Sequence, residues 1–520
     1  MRKQAGTNKQ NNKTKRVFLL AAVFAAAAMI FLPAGCRRKV NVSAVRICGV
    51  PLRDLCFYAE MSGETDAARS NKAEELRSHI NELLTQAGGK EPEVACSAPD
   101  GSPALIFKET ATCGYDDYVV RLGSGGQVLF EGGSKWALKM AFGAFLEAYV
   151  LNGKGIDAET AAAAGIRPGD TLIDYKAPER DAYISDPSLL PLHWLGEWTP
   201  PAKMLDYSDK VACLERENVR HVFTASHRGD WHRYPENSIE AIISVWAMGG
   251  DCVEIDLRFT KDKIPVIMHD NTLSRTTDFA DKAGKNGLPE SDKIGDWTLE
   301  QLRELRLKEG QGGNGAAVTP YLIPTLEECL IAARGRFFYI LDKQKQWRYA
   351  ELPEIEEIQP LSKKRYLAPY MERADNFESV LIAYGTIDET EEGTFDADEA
   401  LKVQQYIYDT YGRKTYFYLR GWTDRGTAAT YAEALENGSL TNSGVIVNGS
   451  FDGADNEMQK VLRALTKSHP RTFFGCWTID SVGNDSEEVW DIIYKVGLRG
   501  MMSNDILRLV KHAAELGGYV

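Results

Sequence analysis

Between Ser226 and Thr277, His227 and His269, Arg228 and two alternating carboxylates fall at spacings that suit chemistry. The run is Ser226-His227-Arg228-Gly229, then Pro235-Glu236-Asn237-Ser238, then Val253-Glu254-Ile255-Asp256-Leu257, then His269-Asp270 and Ser274-Arg275-Thr276-Thr277. Side chains two apart on a strand share a face, so Glu254 and Asp256 point together while Val253, Ile255 and Leu257 point the other way. Two carboxylates turned into a protein interior repel each other and lose water, and a divalent cation resolves both problems. An all-oxygen donor set suits Mg²⁺ or Ca²⁺ better than zinc. The alternative is a structural ion pair with Arg228 or Arg258. Arg228 offers a fork of donors to phosphate oxygens. His227 and His269 can divide proton work, one activating a nucleophile and the other protonating a leaving alkoxide. His232 fits no such pattern and is expected to face solvent or lie near substrate.

These residues need elements to hold them. From residue 222 onward short apolar strands alternate with helical stretches. Strands are expected at Val222–Ala225, Cys252–Leu257, Phe337–Leu341, Val380–Ala383, Thr415–Leu419, Gly444–Val447, Phe473–Thr478 and Gly500–Met502. Alternation of this kind predicts an α/β fold, a (β/α)₈ TIM-type barrel. Ile264–Met268 follows Leu257 too closely for a parallel crossover, so it must return antiparallel through a turn near Lys261-Asp262-Lys263. That return carries His269 back to the level of Glu254 and Asp256. His227 and Arg228 end the first barrel strand, where barrel chemistry is located. Ser238 is the expected N-cap of a helix over 238–248.

Several spaced motifs in a fixed order are more specific than any one alone. His227-Arg228-Gly229, Pro235-Glu236-Asn237-Ser238, Glu254-x-Asp256 and His269-Asp270 together resemble the glycerophosphodiester phosphodiesterase family over roughly residues 222–515. Trp297-Thr-Leu-Glu-Gln-Leu and Ile323-Pro-Thr-Leu-Glu-Glu resemble the family's helix entries, and Gly475-Cys-Trp-Thr-Ile and Gly500-Met-Met-Ser-Asn its last two strands. The resemblance implies metal-dependent hydrolysis of a glycerophosphodiester to glycerol 3-phosphate and an alcohol. It implies Asn237 as a substrate contact, with Asn237 and Glu236 bracing the site. The family's Glu-x-Lys strand end appears here as Leu341-Asp342-Lys343-Gln344, so the resemblance implies Asp342 as third metal carboxylate and Lys343 as a substrate contact. Ser503-Asn504 stands where the family has Thr-Asp. Two rival readings are a phospholipase D-like activity on intact lipids and a catalytically degenerate barrel that binds the envelope.

The remainder of the 520 residues sets the context. Length suggests more than one domain. Residues 1–36 read as a lipoprotein-type signal. Arg2, Lys3, Lys9, Lys13, Lys15 and Arg16 form a basic head, Val17 to Leu32 is apolar, and Pro33-Ala34-Gly35-Cys36 follows. Pro33 departs from the usual lipobox, and an uncleaved anchor is the alternative. Either way the chain is expected outside the cytoplasm, held to a membrane at its N-terminus. Residues 40–175 read as a small α/β accessory domain, with a helix over 67–86, a hairpin at Tyr118–Leu122 and Gln127–Phe130, and a helix after Ser134. Residues 176–220 read as a Pro- and Trp-rich linker, and 221–520 as the barrel. A formal net charge of -13 argues against a nucleic-acid partner. A teichoic-acid-like polymer is a second substrate class. Of nine cysteines, Cys48, Cys56, Cys96 and Cys113 are placed to pair in an oxidising compartment, and Cys252, Cys329 and Cys476 lie in apolar segments as buried thiols.

Overall fold

A computed structural model describes residues 45–47, 50–63, 65–86, 93–94, 102–151, 155–156, 166–215, 220–342, 360–384, 405–421, 443–448, 457–470, 472–477 and 485–519. The chain forms two compact units, Met1–Pro178 with Pro191–Thr199, and Glu179–Leu190 with Pro200–Val520.

The first unit is built on a six-stranded mixed sheet. Its order is Glu93–Val94, Cys56–Glu60, Ala104–Glu109, Val128–Gly132, Tyr118–Leu122 and Thr171–Tyr175. Tyr118–Leu122 and Val128–Gly132 form the antiparallel hairpin read from their alternation. Ser134 caps the helix Lys135–Phe145 by accepting a bond from Ala137 N at 3.1 Å. That helix and Asp66–Gln86 bury Leu76, Ile80, Phe142 and Phe145 in a core with Phe57, Phe107 and Phe130. Phe107 and Phe130 stack at 4.4 Å. Cys56 and Cys113, two of the cysteines that could pair, are free thiols. Cys48 and Cys96 lie outside the described residues.

The second unit carries the expected strands in the expected order. They are β1 (Phe223–His227), β2 (Cys252–Phe259), β3 (Pro265–Ile267), β4 (Phe338–Asp342), β5 (Val380–Tyr384), β6 (Tyr416–Gly421), β7 (Ser443–Asn448), β8 (Phe473–Trp477) and β9 (Gly500–Ser503). Apart from β3, each strand pairs in parallel with the next, and β9 pairs back onto β1. The eight parallel strands therefore close on themselves as a TIM-type barrel. β3 alone is antiparallel, with Leu257 opposite Ile267. Lys263 takes a φ of 65° in the connecting turn.

Strand phase explains where the site lies. Phe223, Ala225, Cys252, Phe338, Ile340, Tyr416, Phe473 and Met502 form one buried cluster. On β1 and β2 the next positions in that phase are His227, Glu254 and Asp256. Apolar side chains thus fill the lower barrel, and the polar set continues the same face at the C-terminal strand ends. Two capping boxes start helices where the sequence resembled helix entries, Thr298 with Gln301 and Thr325 with Glu328.

Candidate active site

Arg228 and Gly229 turn the chain sharply off β1 with φ values of 60° and 84°. A Cβ on Gly229 would lie 2.8 Å from Ala241 Cβ and 2.9 Å from Ala241 C, so only glycine lets this turn rest on the helix Ile239–Ala247. Arg228 N donates to Glu254 O at 3.0 Å, and Asn237 N donates to Arg228 O at 2.9 Å. Asn237, itself at φ 57°, reaches Asp256 twice. Its Nδ2 donates to Asp256 Oδ2 at 2.8 Å, and its Oδ1 accepts from Asp256 N at 3.3 Å. Ser238 then caps the helix through Ala241 N at 3.0 Å.

The carboxylates stand as strand alternation requires. Glu254 and Asp256 are each 1% exposed. His227 pairs with Glu254 across the β1–β2 ladder, and its Nε2 lies 3.9 Å from Glu254 Oε2. Arg228 divides its fork, with Nε 3.4 Å from Asp256 Oδ2 and Nη1 3.1 Å from Glu236 Oε2. The ion pair weighed as an alternative to metal binding is therefore present on Asp256. Arg258 instead donates to the carbonyl of His269. Among the described residues no group of three or more His, Cys, Asp or Glu side chains is arranged to hold a metal. Asp342 pairs with Asp256 in the β2–β4 register, but its side chain, like all of Lys343, lies outside the described residues. Two deeply buried carboxylates of one strand face fit a hard cation as donors.

The β2–β3 hairpin delivers His269. Met268 N donates to Asp256 O at 2.8 Å, and the bond from Arg258 fixes the next carbonyl. The two histidines differ in their second ring nitrogen. His227 Nδ1 is 2.8 Å from Asn504 Oδ1, and His269 Nδ1 is 2.6 Å from Asp270 Oδ1. Both partners are acceptors, so each Nδ1 carries the proton and each Nε2 is left for chemistry. Burial raises the Asp270 carboxyl, but bonds from Arg275 and His269 outweigh it and bring it down to about 2.

The structure gives Glu236, Arg275 and Asn504 partners that the motifs did not reveal. Glu236, 3% exposed, bridges Arg228 and Arg275, with Arg275 Nη2 2.6 Å from its Oε1. Arg275 Nε reaches Asp270 Oδ2 at 2.5 Å. Asn504 holds His227 while its own backbone N donates to Asp485 Oδ2 at 2.9 Å. His232 is exposed and stacks on Trp231 at 3.9 Å.

Comparison with known proteins gives a consistent picture. The model of the glycerophosphoryl diester phosphodiesterase family matches residues 227–507. Glycerophosphodiester phosphodiesterase 1 of Rattus norvegicus is 42% identical over 84 residues, 16% of this chain and 22% of that protein. Glycerophosphodiester phosphodiesterase of Caldanaerobacter subterraneus is 36% identical over 105 residues, 20% of this chain and 37% of that protein. The chain thus spans well under half the length of these curated relatives. The crystal structure of a glycerophosphoryl diester phosphodiesterase from Parabacteroides distasonis aligns with a TM-score of 0.41 at 23% identity, covering 60% of this chain and 91% of that one.

Proposed function

Because the chain belongs to the glycerophosphoryl diester phosphodiesterase family, we propose that it hydrolyses a glycerophosphodiester to glycerol 3-phosphate and an alcohol. The observation that carries this reading is the convergence of His227, Arg228, Glu254, Asp256 and His269 at the C-terminal ends of β1 and the β2–β3 hairpin.

Each residue has a task its surroundings support. Arg228 presents donors to phosphate oxygens, oriented by Glu236 and Asp256. Glu254 and Asp256 would hold a divalent cation, Mg²⁺ or Ca²⁺, with Asp342 in register beside Asp256. When bound, that cation would neutralise charge on the phosphoryl group. His227 accepts a proton from the nucleophile at Nε2. His269 gives one to the leaving alkoxide at Nε2, its Nδ1 held by the Asp270 carboxylate where that of His227 rests on an amide oxygen. Lys343 remains a proposed phosphate contact. The envelope setting belongs to the same proposal: lipid attachment through Cys36 would place the site beside deacylated phospholipid headgroups or teichoic-acid-like polymers.

The test is a panel of glycerophosphodiesters, an intact phospholipid and a glycerol-phosphate polymer, assayed with chelator and with Mg²⁺ or Ca²⁺ restored. Release of glycerol 3-phosphate that chelation abolishes is the expected result. Metal-independent turnover would remove the cation from the reading, and no turnover of any diester would overturn the reaction itself.

A further inference from the structure

We propose that Arg275 is a positioning residue for this reaction, the shared partner of Glu236 and Asp270, through which it orients both the Arg228 guanidinium and the His269 imidazole. The inference rests on the phosphodiesterase reading above.

The geometry is a chain of alternating charge. Arg228 Nη1 meets Glu236 Oε2 at 3.1 Å, and Glu236 Oε1 meets Arg275 Nη2 at 2.6 Å. Arg275 Nε meets Asp270 Oδ2 at 2.5 Å, and Asp270 Oδ1 meets His269 Nδ1 at 2.6 Å. Both oxygens of each carboxylate are used, one toward Arg275 and one toward a reacting side chain. The third guanidinium nitrogen, Nη1, donates to the carbonyl of Gln311. Each nitrogen of Arg275 thus makes a bond to protein. Its backbone is gripped as well. Gly313 N donates to Arg275 O at 2.7 Å, and a Cβ on Gly312 would lie 2.2 Å from that oxygen. Gly312, at φ 72°, therefore lets the loop close on the arginine.

The arrangement needs arginine. A planar fork can satisfy two carboxylates and a carbonyl in fixed directions, whereas one ammonium cannot. Glu236 is buried between two cations, and loss of one leaves it partly uncompensated and free to pull on Arg228. Asp270 would lose the contact that fixes its rotamer against His269. The groups bearing on His269 are Asp270 at its ring, Arg275 beyond that carboxylate and Arg258 at its carbonyl.

The test uses the full chain and three variants, Arg275→Met, Arg275→Lys and Asp270→Asn. One readout is kcat and KM for glycerophosphodiester hydrolysis across pH. The other is the titration of the His269 ring by NMR on histidine-labelled protein, which needs no turnover. Arg275→Met should lower kcat about 10–100-fold, the scale of a misplaced reacting group. Its His269 midpoint should fall in the direction of Asp270→Asn, because Asp270 is no longer held against the ring. In Asp270→Asn the midpoint should fall, by on the order of one pH unit. Arg275→Lys should return the midpoint toward the parent but recover only part of kcat. Parent-like kcat in Arg275→Met, or a His269 midpoint that does not fall in that variant, would overturn the proposal. If the parent turns over no diester, the functional reading fails while the His269 midpoints still decide whether the charge chain exists.

Discussion

His227 and His269 present the same atom, Nε2, yet one rests on an amide oxygen and the other on a carboxylate. This asymmetry predicts unequal rescue. His227→Ala and His269→Ala should each lower turnover roughly 10²–10⁴-fold, and the double variant should lose less than the product of the two. A substrate with a highly acidic leaving alcohol should restore rate to His269→Ala alone, since such an alkoxide departs without a proton. Rescue of His227→Ala instead would exchange the roles, and near-parental activity in either variant would remove that histidine from the reaction. His227, Glu254, Asp256 and His269 were legible in the sequence because strand period 2 and a short return turn dictate their placement. Asn504 as the partner of His227 was not, because 277 residues separate them and only barrel closure joins β9 to β1. Arg275 was visible as part of a motif, but its role depends on Glu236, which lies 39 residues earlier and is brought near by the turn at Arg228-Gly229.

The β2–β3 hairpin and the helix Leu326–Ala333 show how elements are locked in place. Ile267 N donates to Pro324 O at 2.9 Å, so the hairpin is tied to the start of that helix. Thr325 accepts from Glu328 N at 3.2 Å, and Glu328 Oε2 accepts from Thr325 N at 2.7 Å. The same Glu328 meets Arg180 at 2.6 Å and Arg303 at 2.8 Å. Burial raises its carboxyl, but the two arginines outweigh this and bring it down to about 2. The folded value lies below the unfolded one. Its contribution to stability is therefore full above about pH 4.5 and fades as pH falls through about 2. Glu328→Gln keeps an N3 side chain able to complete the capping box and removes only the charge. It should destabilise the barrel unit by about 2 kcal/mol at pH 7, discounted for partial exposure, and by progressively less as the medium is acidified. Denaturant midpoints of parent and variant measured at several pH values check this, and a gap that does not depend on pH would refute the linkage. Both capping boxes were readable from Thr-x-x-Gln and Thr-x-x-Glu spacing. The arginines that charge-clamp Glu328 were not, since Arg180 lies 148 residues away.

At the scale of the whole molecule, one chain joins a barrel that carries the proposed chemistry to a unit with its own sheet and core. The barrel strands were legible because eight apolar runs at helical separations admit few topologies. The strand Thr171–Tyr175 was missed because it completes its sheet against Tyr118–Leu122 through a bulge, a long-range pairing without local signature. No helix of the described residues is long and apolar enough to cross a membrane. We propose membrane attachment through residues 1–36, which lie outside the described residues. There a basic head, the apolar run Val17 to Leu32 and Cys36 resemble a signal whose cysteine takes an acyl chain, with Pro33 as the departure. A single acyl chain gives only reversible binding, so stable attachment needs a second chain or further contact. Cleavage before Cys36 would also remove six positive charges and no acidic residue, leaving the acidic body beyond the membrane surface. Cys36→Ser preserves size and removes the thiol that would be acylated. In cells fed a labelled fatty acid, the parent should be labelled, shortened and recovered with detergent-extracted membranes. The variant should be unlabelled and keep its full length. Equal labelling and processing of the two would refute acylation at Cys36, and equal membrane recovery of an unlabelled, uncut parent would identify the apolar run itself as the anchor.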